Sequence, residues 1–142
     1  DRGNHFQNIK LYREAIRDYD KYISMIQTNH SAYMNRGNAH ERLRNYQAAL
    51  GDYDKVIELK PNDTIAYFNK GVVFDYLQNY EQAIYEYTRC LQVDPRLAKA
   101  YYNRGTTYQM IGDEENARRD WETAIRLNPK YEVELRPKIN AL

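Results

Sequence analysis

Apolar and polar positions in this chain alternate with a helical period that is interrupted at regular intervals. Between residues 30 and 43, Tyr33, Gly37 and His40 share one helical face, and Ala32 and Leu43 widen it. A second apolar stripe follows, formed by Tyr46, Ala49, Leu50, Tyr53, Val56 and Ile57. Arg44-Asn45 separates the two stripes as a short turn. Lys60-Pro61-Asn62-Asp63 ends the second, because proline lacks an amide proton and clashes with the preceding turn. The pattern predicts two helices joined by a tight turn, and strand signals are absent.

The same pattern returns along the chain. Gly3, Gly37, Gly71 and Gly105 lie 34 residues apart. So do Ala15, Ala49, Ala83 and Ala117, then Tyr19, Tyr53, Tyr87 and Trp121, and also Pro61, Pro95 and Pro129. These columns divide the chain into repeats over 1–29 (short by about five residues at its start), 30–63, 64–97 and 98–131, with 132–142 left as a short capping segment. Gln78-Asn79 and Gly112-Asp113 repeat the turn, and Asn and Gly tolerate the left-handed conformation that ends a helix. A lone helix pair cannot bury both its faces, so the repeats must stack. Gly37 and Ala49 are expected to meet where the paired helices approach closest, and the Tyr53 column to wedge between neighbouring units. Pro137 cannot sit deep in a helix, so the cap is expected to be interrupted or to begin near Arg136. That would leave the last repeat poorly covered.

The run Tyr67, Gly71, Phe74, Ala83, Tyr87 and Pro95 at these spacings resembles the tetratricopeptide repeat, and the resemblance covers residues 1–131. It departs from the family pattern at Gln27 in the proline column and at Val56 and Cys90, where alanine is usual. Arg36, Lys70 and Arg104 fill a column that is often leucine. The resemblance implies an all-α fold, a right-handed superhelical solenoid of tandem antiparallel helix hairpins. It also implies a concave groove lined by the first helix of each repeat. The function implied is that of a scaffold or adaptor binding an extended peptide segment of a partner protein, without catalysis or cofactor. Two other readings stay open: a self-association module forming a homodimer through an exposed solenoid end, and a regulatory repeat region of a larger protein.

Composition narrows the partners. The 142 residues suit one domain, and 21 basic against 20 acidic residues leave a net charge of +1. No global field therefore steers the chain to nucleic acid or to an acidic membrane. A basic column (Arg2, Arg36, Lys70, Arg104) is matched by an acidic one (Asp18, Asp52, Glu86, Asp120). Such pairing argues against a phosphate stripe and for ion pairs, each worth about 0–1 kcal/mol if solvated. No apolar run is long enough to span a membrane. Cys90 is the only cysteine and, in a small-residue column, is expected to be buried and inert; the compartment is left open. No nucleophile motif, phosphate loop or metal-ligand cluster is present, and His40 stands in the column of Phe6, Phe74 and Tyr108 as a core substitute.

Nine of the fifteen tyrosines fall in three repeat columns (Tyr33/67/101, Tyr12/46/80 and Tyr19/53/87) and are expected to pack identically in each unit. Tyr22, Tyr76, Tyr85, Tyr102, Tyr108 and Tyr131 fall outside them and are open to unit-specific roles. On the stripe opposite the packed face stand Asn35, Asn69 and Asn103 in register, together with Asn38, Phe68, Tyr76, Lys99 and Tyr102. Amides both donate and accept, so a row of them can hold an extended backbone whatever its sequence. These residues look similar to the asparagine ladder of some tetratricopeptide grooves. An equal reading is that they cap local backbone or pair between helices, and that the rings fold against neighbouring helices. The clamp that the family uses for acidic chaperone tails is at best partial, since Ile65 and Asn69, or Met34 and Asn103, stand where cations are required.

Overall fold

The computed structural model describes residues 2–142, with side chains from Asn4 onward. Asp1, and the Arg2 and Gly3 side chains that open the basic and glycine columns, lie outside the described residues. The elements are α1 (Arg2–Met25), α2 (His30–Arg42), α3 (Tyr46–Leu59), α4 (Thr64–Tyr76), α5 (Tyr80–Val93), α6 (Ala98–Met110), α7 (Glu114–Leu127), a single 3-10 turn (Pro129–Tyr131) and α8 (Glu132–Asn140). Among the described residues there is no strand. The fold is all-α, built from the tandem hairpins α2–α3, α4–α5 and α6–α7. Two compact units are formed, Asp1–Ala66 and Tyr67–Leu142.

The hairpin turns follow one recipe. Arg44, Gln78 and Gly112 adopt positive φ values of 62°, 59° and 83°. The next residue closes the helix end by donating its N–H to a carbonyl five residues back: Asn45 to His40 at 2.8 Å, Asn79 to Phe74 and Asp113 to Tyr108 at 2.9 Å. Asn79 and Asp113 then turn their side chains forward and cap the following helix at Gln82 and Asn116.

The first repeat departs from this plan. Residues 1–29 are expected to form a shortened hairpin, but α1 runs unbroken from Arg2 to Met25. The cause is local. Leu11 occupies the position of Asn45, Asn79 and Asp113, and leucine is a strong helix former where Asn and Asp favour turns, so nothing at this position opposes helix propagation.

Within each hairpin the space that the glycine leaves open is filled chiefly by a ring, with the Ala117 carbonyl also close at Gly105. A Cβ on Gly37 would lie 2.8 Å from Tyr53 Cε1, one on Gly71 2.5 Å from Tyr87 Cε1, and one on Gly105 2.6 Å from Trp121 Cδ1. The ring sixteen residues on thus lies against its own hairpin's glycine, where it was expected to wedge between hairpins. Tyr53, Tyr87 and Trp121 are fully buried, as are Ala49, Ala83 and Ala117.

The charged columns pair as expected but not at the surface. Arg36 meets Asp52 at 2.6 Å, Lys70 meets Glu86 at 3.3 Å and Arg104 meets Asp120 at 2.7 Å. The acid side chains are only 7%, 0% and 4% exposed. At that burial, deleting one partner costs about 3–5 kcal/mol, well above the value of a solvated pair.

In unit 1 the core gathers Ile23, Ala32, Tyr33, Val56 and Ala66. In unit 2, Trp121 and Ala124 pack with Leu135 and Ile139 of α8. This corrects the expectation for the chain's end. Pro137 lies inside α8, which is uninterrupted, and the last hairpin is covered. The proline forgoes one backbone bond, at a cost of about 3 kcal/mol. Burying two large aliphatic side chains contributes about 1.5–3 kcal/mol each, which offsets it. Self-association through a bare last repeat loses its structural basis.

Candidate functional site

The first helices of the hairpins carry the positions that the 34-residue period places opposite the packed face. In unit 2 they line a cavity of about 360 Å³. Tyr76, Tyr102 and Asn103 all stand in its wall, with Val72, Met110, Thr106 and Tyr80 beside them. Tyr76 and Met110 are exposed, so the cavity is walled by apolar side chains that no neighbouring helix covers. The Asn103 side-chain amide makes no hydrogen bond to another described residue; only its backbone carbonyl is engaged, accepting from Thr107.

The same wall carries a polar network of Asp75, Tyr87 and Thr107. Asp75 accepts from the Tyr87 hydroxyl at 2.7 Å and from the Thr107 hydroxyl at 2.8 Å. Burial raises the Asp75 carboxyl above its ordinary value, and the two hydroxyl bonds only partly counter this. Unit 1 repeats the device: Tyr53 donates to Glu41 at 2.8 Å, and burial raises the Glu41 carboxyl too. In the last hairpin Gln109 takes the acid's place and Trp121 the tyrosine's, and the indole N–H turns to the Tyr102 carbonyl and the Thr106 hydroxyl.

The other site residues divide. Tyr102 lines the cavity but is tied to the cap: its hydroxyl donates to Glu134 at 2.7 Å and its ring meets Tyr131 edge-on at 5.0 Å. Burial, and then the bond to Glu134, push this hydroxyl up to about 12. Phe68 is half-buried, tilted against Tyr87, with the exposed Lys99 ammonium 4.5 Å from its ring centroid. Asn69 is half-buried on α4. In unit 1, Asn35 is exposed and lines a separate cavity of about 340 Å³ with Tyr19, Tyr22 and Asn29. Asn38 is spent on structure, its Oδ1 lying 2.8 Å from the Tyr53 hydroxyl.

Lys138 also lines the unit 2 cavity, and no repeat column could have pointed to it, because it lies in the cap. Thr107 was missed as well, since its bond to Asp75 spans 32 residues and falls off the period. Among the described residues, no group of three or more His, Cys, Asp or Glu could hold a metal ion. No helix among them is long and apolar enough to cross a membrane. Cys90 is fully buried, and burial pushes its thiol up to about 11.

Tandem helical hairpins at a 34-residue period define a helical-repeat protein. Comparison with known proteins narrows the class. The family model described as tetratricopeptide repeat matches residues 30–63 and 98–131, and a second, described as TPR repeat, matches 76–112. The chain belongs to the tetratricopeptide repeat family, whose members are in general non-catalytic scaffolds that bind other proteins. No curated protein sequence matches it significantly. Among solved structures it is similar to MamA, with a TM-score of 0.81 and 26% identity over 88% of this chain and 73% of that one. MamA 41-end from Desulfovibrio magneticus RS-1 aligns with a TM-score of 0.75 and 27% identity, over 86% of this chain and 76% of that one. The Arabidopsis OM64 TPR domain aligns with a TM-score of 0.69 and 26% identity, over 71% of this chain and 84% of that one.

Proposed function

We propose that the protein binds an extended, weakly charged segment of a partner protein on the first-helix face of the unit 2 hairpins. The observation that carries this reading is the uncommitted Asn103 amide in the wall of an apolar cavity. An amide so placed can satisfy a peptide's N–H and C=O together, while Tyr76 and Met110 receive an apolar side chain. Asn69 holds the equivalent position one repeat earlier, so the two amides address successive stretches of one strand. Lys99 and Lys138 are the cations nearby; Lys99 is held over Phe68, and Lys138 lies 5.9 Å from the Tyr102 ring centroid. The face therefore does not select a highly acidic ligand.

Each peptide hydrogen bond contributes about 0.5–1.5 kcal/mol net. Replacing Asn69 and Asn103 together by Ala is expected to weaken binding of a selected peptide about ten- to hundredfold, with the helical circular dichroism spectrum unchanged. Salt is expected to matter little. Normal binding by the double variant, combined with loss of parent binding in moderate salt, would transfer the role to charged residues and overturn the reading.

A further inference from the structure

A second cavity, of about 360 Å³, lies in unit 1 between α1 and the α2–α3 turn. Its wall carries Arg13, Arg42, Arg44, His5 and Asn45, and no carboxylate. None of the three arginines forms an ion pair with a described residue, whereas Arg36, Lys70 and Arg104 are all paired. Of the acids nearest in sequence, Glu41 accepts from Tyr53 and feels the Arg42 charge without forming an ion pair with it, and Glu14 faces Lys10.

The repeat architecture does not ask for these charges. At the positions equivalent to Arg42 the later repeats carry Tyr76 and Met110. At those equivalent to Arg44 they carry Gln78 and Gly112, and at those equivalent to Arg13, Gln47, Glu81 and Glu115. Three independent departures from the repeat pattern thus bring positive charge to one cavity in a chain whose net charge is only +1. Asn45 departs as well: unlike Asn79 and Asp113 it makes no side-chain capping bond, which leaves its amide available as a donor.

We infer that this cavity is an anion site that takes a phosphate monoester carried on a polypeptide, such as a phosphoserine segment of a partner. A lone carboxylate has two oxygens and saturates a single guanidinium fork. A phosphate monoester presents three oxygens and close to two charges, which suits several guanidinium groups at once. The polypeptide carrier follows from the family's role in binding proteins, while the site itself is separate from the unit 2 face.

The test is calorimetry on the full chain with a short neutral peptide carrying one phosphoserine, the same peptide without phosphate, inorganic phosphate, and a short single-stranded RNA. The expected result is binding of the phosphopeptide at least about tenfold tighter than of its unmodified form, weakening as salt rises. Inorganic phosphate should compete weakly. Arg42→Met and Arg44→Gly together install the last repeat's own residues, which keeps the hairpin geometry, and should remove the preference for phosphate. Arg118→Ala, at an exposed position of α7 in unit 2, should leave it intact. Equal binding of both peptides would overturn the inference. So would a preference that survives the double variant, or RNA bound through the same arginines in place of the peptide.

Discussion

At the scale of single residues, the glycine column shows how a repeat specifies its own packing. Gly71 exists to admit Tyr87: the missing Cβ would sit 2.5 Å from Cε1 and 2.7 Å from Cδ1 of that ring. Tyr87 is fully buried and its hydroxyl is fixed on Asp75, so the ring cannot swing aside without breaking that bond. Gly71→Ala is therefore expected to destabilise the protein by about 1–3 kcal/mol through overpacking, although alanine is the better helix former. Chemical denaturation would read this directly, and a variant as stable as the parent would show that the ring relaxes freely. The sequence showed the glycine column and the need for close approach. It did not show which side chain approaches, because two columns sixteen residues apart look alike whether they face each other or different neighbours.

At the scale of elements, turns were legible wherever Asn or Asp stood at the break. They were misread where one residue failed. In α1 the Ala15 and Tyr19 columns persist, so the period still announces a hairpin, but Leu11 replaces the turn-favouring Asn or Asp and the helix runs on. The cap helix α8 shows the opposite error, in which a local rule against interior proline yields to tertiary burial of Leu135 and Ile139. This gives an expectation of two parts. Leu135→Ala should cost about 2–5 kcal/mol, as for other buried leucines. Pro137→Ala should stabilise by up to about 3 kcal/mol by restoring a helical bond. Thermal melts of both variants check the pair. A Pro137→Ala variant less stable than the parent would mean that the proline ring itself packs to advantage.

Across the whole molecule, the three complete hairpins could be read from the 34-residue period, and the family from its resemblance to the residue types that recur at that period. The candidate site could be read only in part. Asn103, Tyr76 and Tyr102 were legible because they stand in register, whereas Lys138 and Thr107 act through contacts outside it. The two desolvated carboxylates, Glu41 and Asp75, also give the protein a pH signature. Their folded values lie above the ordinary carboxylate range, so within that window the native state binds more protons than the unfolded chain. Their contribution to stability is present at low pH and is lost as pH rises through the folded value. Asp75→Asn cannot titrate there. Its stability relative to the parent should be more favourable near about pH 7 than near about pH 4, as read from urea unfolding at both. A difference that does not change with pH, or that changes in the opposite sense, would show that the hydroxyl bonds outweigh burial.

The basic column has one more consequence. Arg36 holds Asp20 at 2.9 Å as well as Asp52, sixteen residues to either side, and Arg104 likewise reaches back to Thr88 and forward to Asp120. Each such side chain is a clasp whose rear half belongs to the helix before its hairpin and whose front half belongs to its own second helix. A duplicated stretch of 34 residues would arrive with its clasp already cut to fit, and with the acceptor that its follower needs. Lengthening such a chain by tandem gene duplication then requires no new partnership to be invented at the seam.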